Sequence, residues 1–204
     1  MSKQTLKYYF LNFRIMKVLI VYAHPGSEGY CPMVLQQTVA KLNDKNIEFE
    51  VLNLYEMKYD PVLYPEELYT KKPFEISKQN LEIQRKIKEV EKFIFIYPVW
   101  WGTMPAILKG FFEKVFTPGF AFNFKGGVPI KLLKGKAVVI NTRGSPKVAT
   151  WFLGDTANKH IAKDILGFFG ITTKTLSLYG ATSLKDSKIE ELSKLVDKAI
   201  NYIL

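Results

Sequence analysis

Cysteine is almost absent from this chain, with one residue, Cys31, among 204. A lone thiol can neither close an internal disulfide nor assemble a metal cluster, so no metal centre is expected and a reducing, cytoplasmic setting fits better than secretion. Long apolar runs are also missing. The first hydrophobic stretch is short and flanked by Arg14, Lys17 and His24, far from the roughly 20 residues that a membrane helix needs, which argues against direct membrane insertion. No internal repeat, low-complexity tract or second domain stands out.

The composition itself is that of a folded chain. A hydrophobic share of 48% with 14% aromatics excludes a disordered protein, and the length suits one well-buried domain. The formal net charge is +10, from 29 basic and 19 acidic side chains, and such an excess favours anionic partners in general. The lysines are nevertheless spread over Lys71 and Lys72, Lys86 and Lys88, Lys131 to Lys136 and the last helix. A field this diffuse describes a basic surface and not a nucleic-acid arm.

Along the chain, short apolar runs alternate with helical periodicity. Lys17 to Ala23, Ile47 to Leu54, Phe93 to Tyr97, Lys136 to Asn141 and Thr172 to Tyr179 read as strands. Tyr30 to Asn43, Ser77 to Lys92, Pro105 to Phe116, Asp155 to Phe169 and Lys185 to Ile203 carry apolar residues at helical spacing. Pro105 is expected at the first helical position, and Gly119 to Gly135 as a glycine-rich link. Residues 1–15 are expected to be a basic, aromatic N-terminal extension to a single domain over residues 16–204. Five strands alternating with helices imply an α/β protein with a parallel sheet and right-handed crossovers.

For a doubly wound five-stranded sheet in the order 2-1-3-4-5, the strand order reverses between the first and third strands, and ligands bind at the carboxyl edge there; flavodoxin and its FMN are the standard instance. Two loops reach that edge. The first, His24-Pro25-Gly26-Ser27-Glu28-Gly29-Tyr30-Cys31, opens a helix whose free amides favour a phosphate, with Ser27 and His24 as further donors. Glu28 would repel a phosphate and is expected to face solvent. The Gly-x-x-Gly turn matches neither the dinucleotide fingerprint nor the nucleoside-triphosphate loop. The second loop, Tyr97-Pro98-Val99-Trp100-Trp101-Gly102-Thr103-Met104-Pro105, joins a buried strand to a helix through two adjacent indoles. They cannot both enter one core, so at least one lines a cleft or an interface, unless the segment is an ordinary packing loop.

The run from Tyr97 through Trp100-Trp101-Gly102-Thr103-Met104-Pro105 to Phe116, followed by Pro118-Gly119-Phe120-Ala121-Phe122, together with Ala23-His24-Pro25, resembles the flavodoxin-like NAD(P)H:quinone oxidoreductase family. That family includes bacterial modulators of drug activity, ancillary oxidoreductases of potassium-efflux systems and larger animal quinone reductases. The resemblance covers the chain from Met16 onward.

It implies a flavin slot. Pro98, Val99, Trp100, Trp101 and Gly102 would wall one side of the isoalloxazine, with Trp101 near the ring and Trp100 either there or in subunit packing. Asn141-Thr142-Arg143-Gly144-Ser145 would cover the pyrimidine edge, where donors stabilise negative charge. Arg143 departs from the glycine of many relatives; it would meet that charge, reach the nicotinamide cofactor's phosphate, or face solvent. Gly29, Tyr30 and Cys31 replace a common serine, aromatic and asparagine, so phosphate binding must lean on backbone amides. Cys31 itself reads as a small packing residue at the helix start. Phe122 and Phe124 match aromatics that a partner subunit contributes to the substrate cavity in dimeric relatives, or serve as core. His160 matches no family site residue and reads as an ordinary helix histidine.

The resemblance implies hydride transfer from NAD(P)H to the flavin and on to a quinone or similar electrophile, with no obligatory acid or base side chain. FMN is preferred to FAD because the chain is short beside the FAD-binding animal relatives. A cytoplasmic homodimer is expected. Two other readings remain: a regulatory flavoprotein partner of a membrane transporter, and a one-electron carrier, against which the paired tryptophans and the basic balance speak.

Overall fold

The computed structural model describes residues 17–152 and 154–204; the extension expected over residues 1–15 lies outside them. Seven strands form. Five of them, β1 (Val18–Tyr22), β2 (Phe49–Asn53), β3 (Lys92–Pro98), β6 (Gly135–Thr142) and β7 (Ile171–Leu178), make one parallel sheet in the order β2-β1-β3-β6-β7. This is the expected 2-1-3-4-5 order counted within the sheet.

The three central strands are apolar on both faces because helices cover both. One face packs α2 (Lys78–Lys88) and α3 (Ala106–Val115) over an aromatic core that includes Phe93, Phe95, Phe111, Phe112 and Phe116. The other packs α1 (Tyr30–Asp44) and the C-terminal α7 (Asp186–Ile203) over Val18, Ile20, Ile94, Ile96, Val138 and Ile140. Each such side chain stabilises the fold by about 1.5–3 kcal/mol when fully buried.

Local chemistry sets the boundaries. Ser77 caps α2 by accepting the Asn80 amide at 3.2 Å, which is worth about 1 kcal/mol. Pro105 stands just outside α3 at φ −57° and ψ 148°, one position earlier than expected, and its carbonyl accepts the Leu108 and Lys109 amides at 3.0 and 3.1 Å. That arrangement suits a residue with no amide of its own.

Three features depart from the sequence reading. The link between α3 and β6 is not mere loop but contains an exposed antiparallel hairpin, β4 (Phe122–Lys125) with β5 (Val128–Lys131), turned by Gly126 and Gly127. A short helix, α4 (Lys147–Phe152), follows β6. The helix expected from Asp155 begins instead at Thr156: α5 (Thr156–Lys159) runs into a π-helical stretch (His160–Leu166) and a last turn, α6 (Gly167–Phe169). Among the described residues no helix is long and apolar enough to cross a membrane.

Candidate functional site

The sheet order makes β1, β3 and β6 neighbours, so their three following loops lie side by side. Backbone bonds fasten them: the Ala23 amide donates to Ile96 O at 3.0 Å and the Val99 amide to Thr142 O at 2.7 Å. The His24 ring then lies 6.3 Å, centroid to centroid, from the Trp100 indole.

The loop after β3 is a tight turn. Trp100 and Thr103 exchange amide–carbonyl bonds at 2.9 and 3.0 Å, with Trp101 at φ +50° and Gly102 at φ +77° between them. Positive φ at both central residues is the type I′ arrangement. Gly102 takes it freely, whereas a tryptophan in that region costs about 1–3 kcal/mol. The Trp101 indole is fully exposed and Trp100 about half exposed, so neither is core filler.

Opposite the turn, the end of β6 is buried and polar. The Arg143 side chain is 4% exposed, which overturns the reading that sent it to solvent. It donates through Nε and Nη2 to Asn141 Oδ1 at 3.2 and 3.0 Å and through Nη1 to Asp155 Oδ1 at 3.0 Å, and it stacks over Tyr179 at 5.3 Å. These bonds use three of its five N–H groups. Asn158 extends the network, accepting from Asn141 at 2.7 Å and donating to Asp155 Oδ2 at 2.8 Å and to Ser177 Oγ at 3.0 Å. Beneath it the fully buried Tyr97 hydroxyl has no hydrogen-bond partner among the described residues. Burial pushes that phenol's pKa up, and the Arg143 charge opposes the shift.

Turn and network enclose a cavity of about 300 Å³ lined by Val99, Trp101, Gly102, Arg143, Gly144, Ser145, Thr150, Asp155, Thr156 and Ala157, at the lower end of the usual range for small-molecule sites. Ser145 is held by Thr150, their hydroxyls 3.1 Å apart. Thr150, Asp155, Thr156 and Ala157 were not expected from the sequence. The signal available was physical: an arginine placed at the end of a buried strand needs a carboxylate nearby.

The first loop faces elsewhere. His24 and Ser27 line a separate cleft of about 620 Å³ with Pro25, Gly26, Asn53, Tyr55 and Glu56. Glu28 is exposed, as expected. Gly29 at φ +102° leads into α1 without a side-chain cap, and the Tyr30 and Cys31 amides find no acceptor among the described residues. Their side chains turn inward. The Tyr30 hydroxyl donates to Ser183 O at 2.5 Å and accepts the Lys185 amide at 3.0 Å, while the buried Cys31 Sγ lies 3.2 Å from Thr142 Oγ1. Burial pushes the Cys31 thiol up to about 12. It is a packing residue, and Pro98 likewise lies buried at the end of β3.

Phe122 and Phe124 stand apart from the ring-sized cavity. Phe122 is buried in an aromatic cluster with Tyr69, Phe168 and Phe169 and lines a third cavity of about 420 Å³ together with His160 and Asp164. Phe124 is half exposed beside it. One helical run thus supplies Thr156 and Ala157 to one cavity and His160, Asp164 and Ile165 to the other.

A family model described as the flavodoxin-like fold matches residues 16–203. A Haemophilus influenzae protein named as an uncharacterized NAD(P)H oxidoreductase is 28% identical over 177 residues, covering 85% of this chain and 88% of its own length. The chain belongs to the flavodoxin-like NAD(P)H oxidoreductase family. It is thereby one of a family of enzymes. A crystal structure from Streptococcus mutans UA159 is similar at 31% identity and a TM-score of 0.82, covering 91% of this chain and all of that one. The NAD(P)H:quinone oxidoreductase from Methanothermobacter marburgensis follows at 26% and 0.79, covering 92% and 96%. An FMN-dependent NADH-azoreductase from Bacillus anthracis, solved with FMN, shares the fold at 18% and 0.75, covering 92% and 99%.

Proposed function

We propose that this family member is a flavin-dependent oxidoreductase that transfers hydride from NAD(P)H to quinones or similar planar electrophiles, with FMN as its flavin. The observation that carries the reading is the cavity at the carboxyl edge of β3 and β6, where an exposed indole turn faces a buried guanidinium. The quinone named for the Methanothermobacter relative and the FMN of the Bacillus structure agree with it.

The residues present fit such a group. A flat ring needs apolar walls, supplied by Val99, the Gly102 backbone and the Trp101 indole. Its polar edge needs donors, supplied by the two remaining N–H groups of Arg143. A phosphate needs amides, and those of Tyr30 and Cys31 are free at the start of α1. The bound flavin would supply reversible two-electron chemistry; the protein would orient the reactants, exclude water and set the electrostatics. Arg143 would favour negative charge on the pyrimidine edge.

The substrate side would be completed by a second copy of the chain. Val148, Trp151 and Phe152 on α4 are exposed beside Thr150 of the ring cavity, an apolar cluster that a second subunit would cover. Phe124, half exposed and away from the ring cavity of its own chain, suits a contribution to the partner's, whereas Phe122 is committed to its own aromatic cluster. The buried, unpaired Cys31 fits a reducing cytoplasm.

Purified protein should carry a yellow chromophore whose extracted mass is that of FMN, and should oxidise NADH or NADPH with menadione. Lack of turnover with both nucleotides, after reconstitution with FMN, would exclude the enzymatic reading.

A further inference from the structure

Among the described residues the cation in the ring cavity has a single carboxylate paired with it, and that carboxylate is held in an unfavourable backbone conformation to do so. Asp155 sits at φ +46° and ψ 49°, in the left-handed region, directly after Gly154 at φ +79°. A non-glycine residue there is disfavoured unless the surroundings fix it. What fixes it is visible: Oδ1 accepts from Arg143 Nη1 at 3.0 Å and Oδ2 accepts from Asn158 Nδ2 at 2.8 Å. Asn158 is in turn bonded to Asn141, which takes the other two Arg143 bonds. The carboxylate is partly open, 32% exposed against 4% for the arginine, and both line the cavity.

An almost fully buried guanidinium with unused N–H groups would strongly favour an electron-rich ring edge. A carboxylate 3.0 Å from it cancels much of that field at any ligand in the cavity, because attraction and repulsion arise from almost the same place.

We infer that Asp155 is a positioning residue that sets the cofactor's reduction potential by offsetting the charge of Arg143. The inference rests on the flavin reading above. The pair keeps Arg143 available as a directional donor while preventing its full charge from over-stabilising the reduced cofactor, which would make it a poor donor to acceptors.

The test is the two-electron midpoint potential of the FMN holoprotein, measured by spectral titration against reference dyes. Asp155→Asn suits the left-handed backbone and keeps hydrogen-bonding capacity. It should raise the preference for reduced over oxidised FMN about tenfold, which for a two-electron couple is about 30 mV more positive. Arg143→Gln should lower that preference about tenfold. The double variant Arg143→Gln/Asp155→Asn should return to within about threefold of the unaltered protein, as charge compensation requires and general damage does not. Arg143→Lys, which keeps the charge, should stay within the same margin. Should Arg143→Gln lose FMN, Asp155→Asn and Arg143→Lys decide the matter alone: the first must shift and the second must not. Single variants that shift in the same direction, or an unmoved Asp155→Asn, overturn the inference while leaving flavin binding intact. Failure of the unaltered protein to bind FMN overturns the reading of the site and this inference together.

Discussion

The two walls of the ring cavity are built on opposite plans. On the β3 side, a four-residue turn holds a fully exposed indole in a costly backbone conformation with few bonds beyond its own. On the β6 side, Asn141, Arg143, Asp155, Asn158 and Ser177 form a bonded network in which only the Asp155 carboxylate is partly exposed. The two indoles of the first wall add little to the core. The second wall is pre-organised and holds its charges before any ligand arrives.

Stability should separate the walls most clearly. Asp155→Ala leaves the Arg143 charge buried without a counter-ion, and we expect a loss of about 3 kcal/mol in urea denaturation. Trp101→Ala should change stability by no more than about 0.5 kcal/mol in the same experiment, since its side chain touches little. Equal losses would break the contrast. Ligand affinity should reverse the ranking on the β3 side: Trp101→Ala should weaken FMN binding about fivefold, an aromatic contact of roughly 1 kcal/mol, measured by equilibrium titration.

A separate effect, confined to alkaline pH, concerns the thiol that anchors α1 against the β6 wall. Because burial pushes Cys31 up to about 12 from an ordinary 9.0, the unfolded chain loses this proton first as pH rises. Its contribution to stability should be intact below about pH 9 and decline between there and about pH 12. Cys31→Ser should flatten that part of the pH–stability curve. Alkylation of native protein at pH 8 should be slow, with rapid labelling arguing that the thiol is accessible.

Much of this was readable beforehand, for identifiable reasons. The three central strands hold continuous apolar runs and the two edge strands are rich in apolar or β-branched residues, so their places were clear and only their ends moved by a residue or two. The β4–β5 hairpin was not, because its residues are mostly exposed, Pro129 interrupts any strand pattern and Gly126-Gly127 look like a link. The helix α4 escaped for a related reason: Val148, Trp151 and Phe152 point outward, so no buried stripe marks it.

Within the site, Val99, Trp101, Gly102 and Arg143 to Ser145 were named from the sequence and do line one cavity, whereas Trp100, named with them, does not. His24 and Ser27 were expected to join them, yet their cleft opens toward Asn53 and Glu56. Asp155 is twelve positions from Arg143 in sequence, and only the fold shows that a left-handed residue after Gly154 brings its carboxylate back to that guanidinium.

The most direct test is a titration of flavin-free protein with FMN, following flavin fluorescence and tryptophan emission together. The account predicts saturation at one FMN per chain, with quenching of both signals and loss of most of the tryptophan quenching in Trp101→Phe. Binding that leaves tryptophan emission unchanged, or no saturable binding, would contradict a flavin held between the indole turn and the Arg143 network.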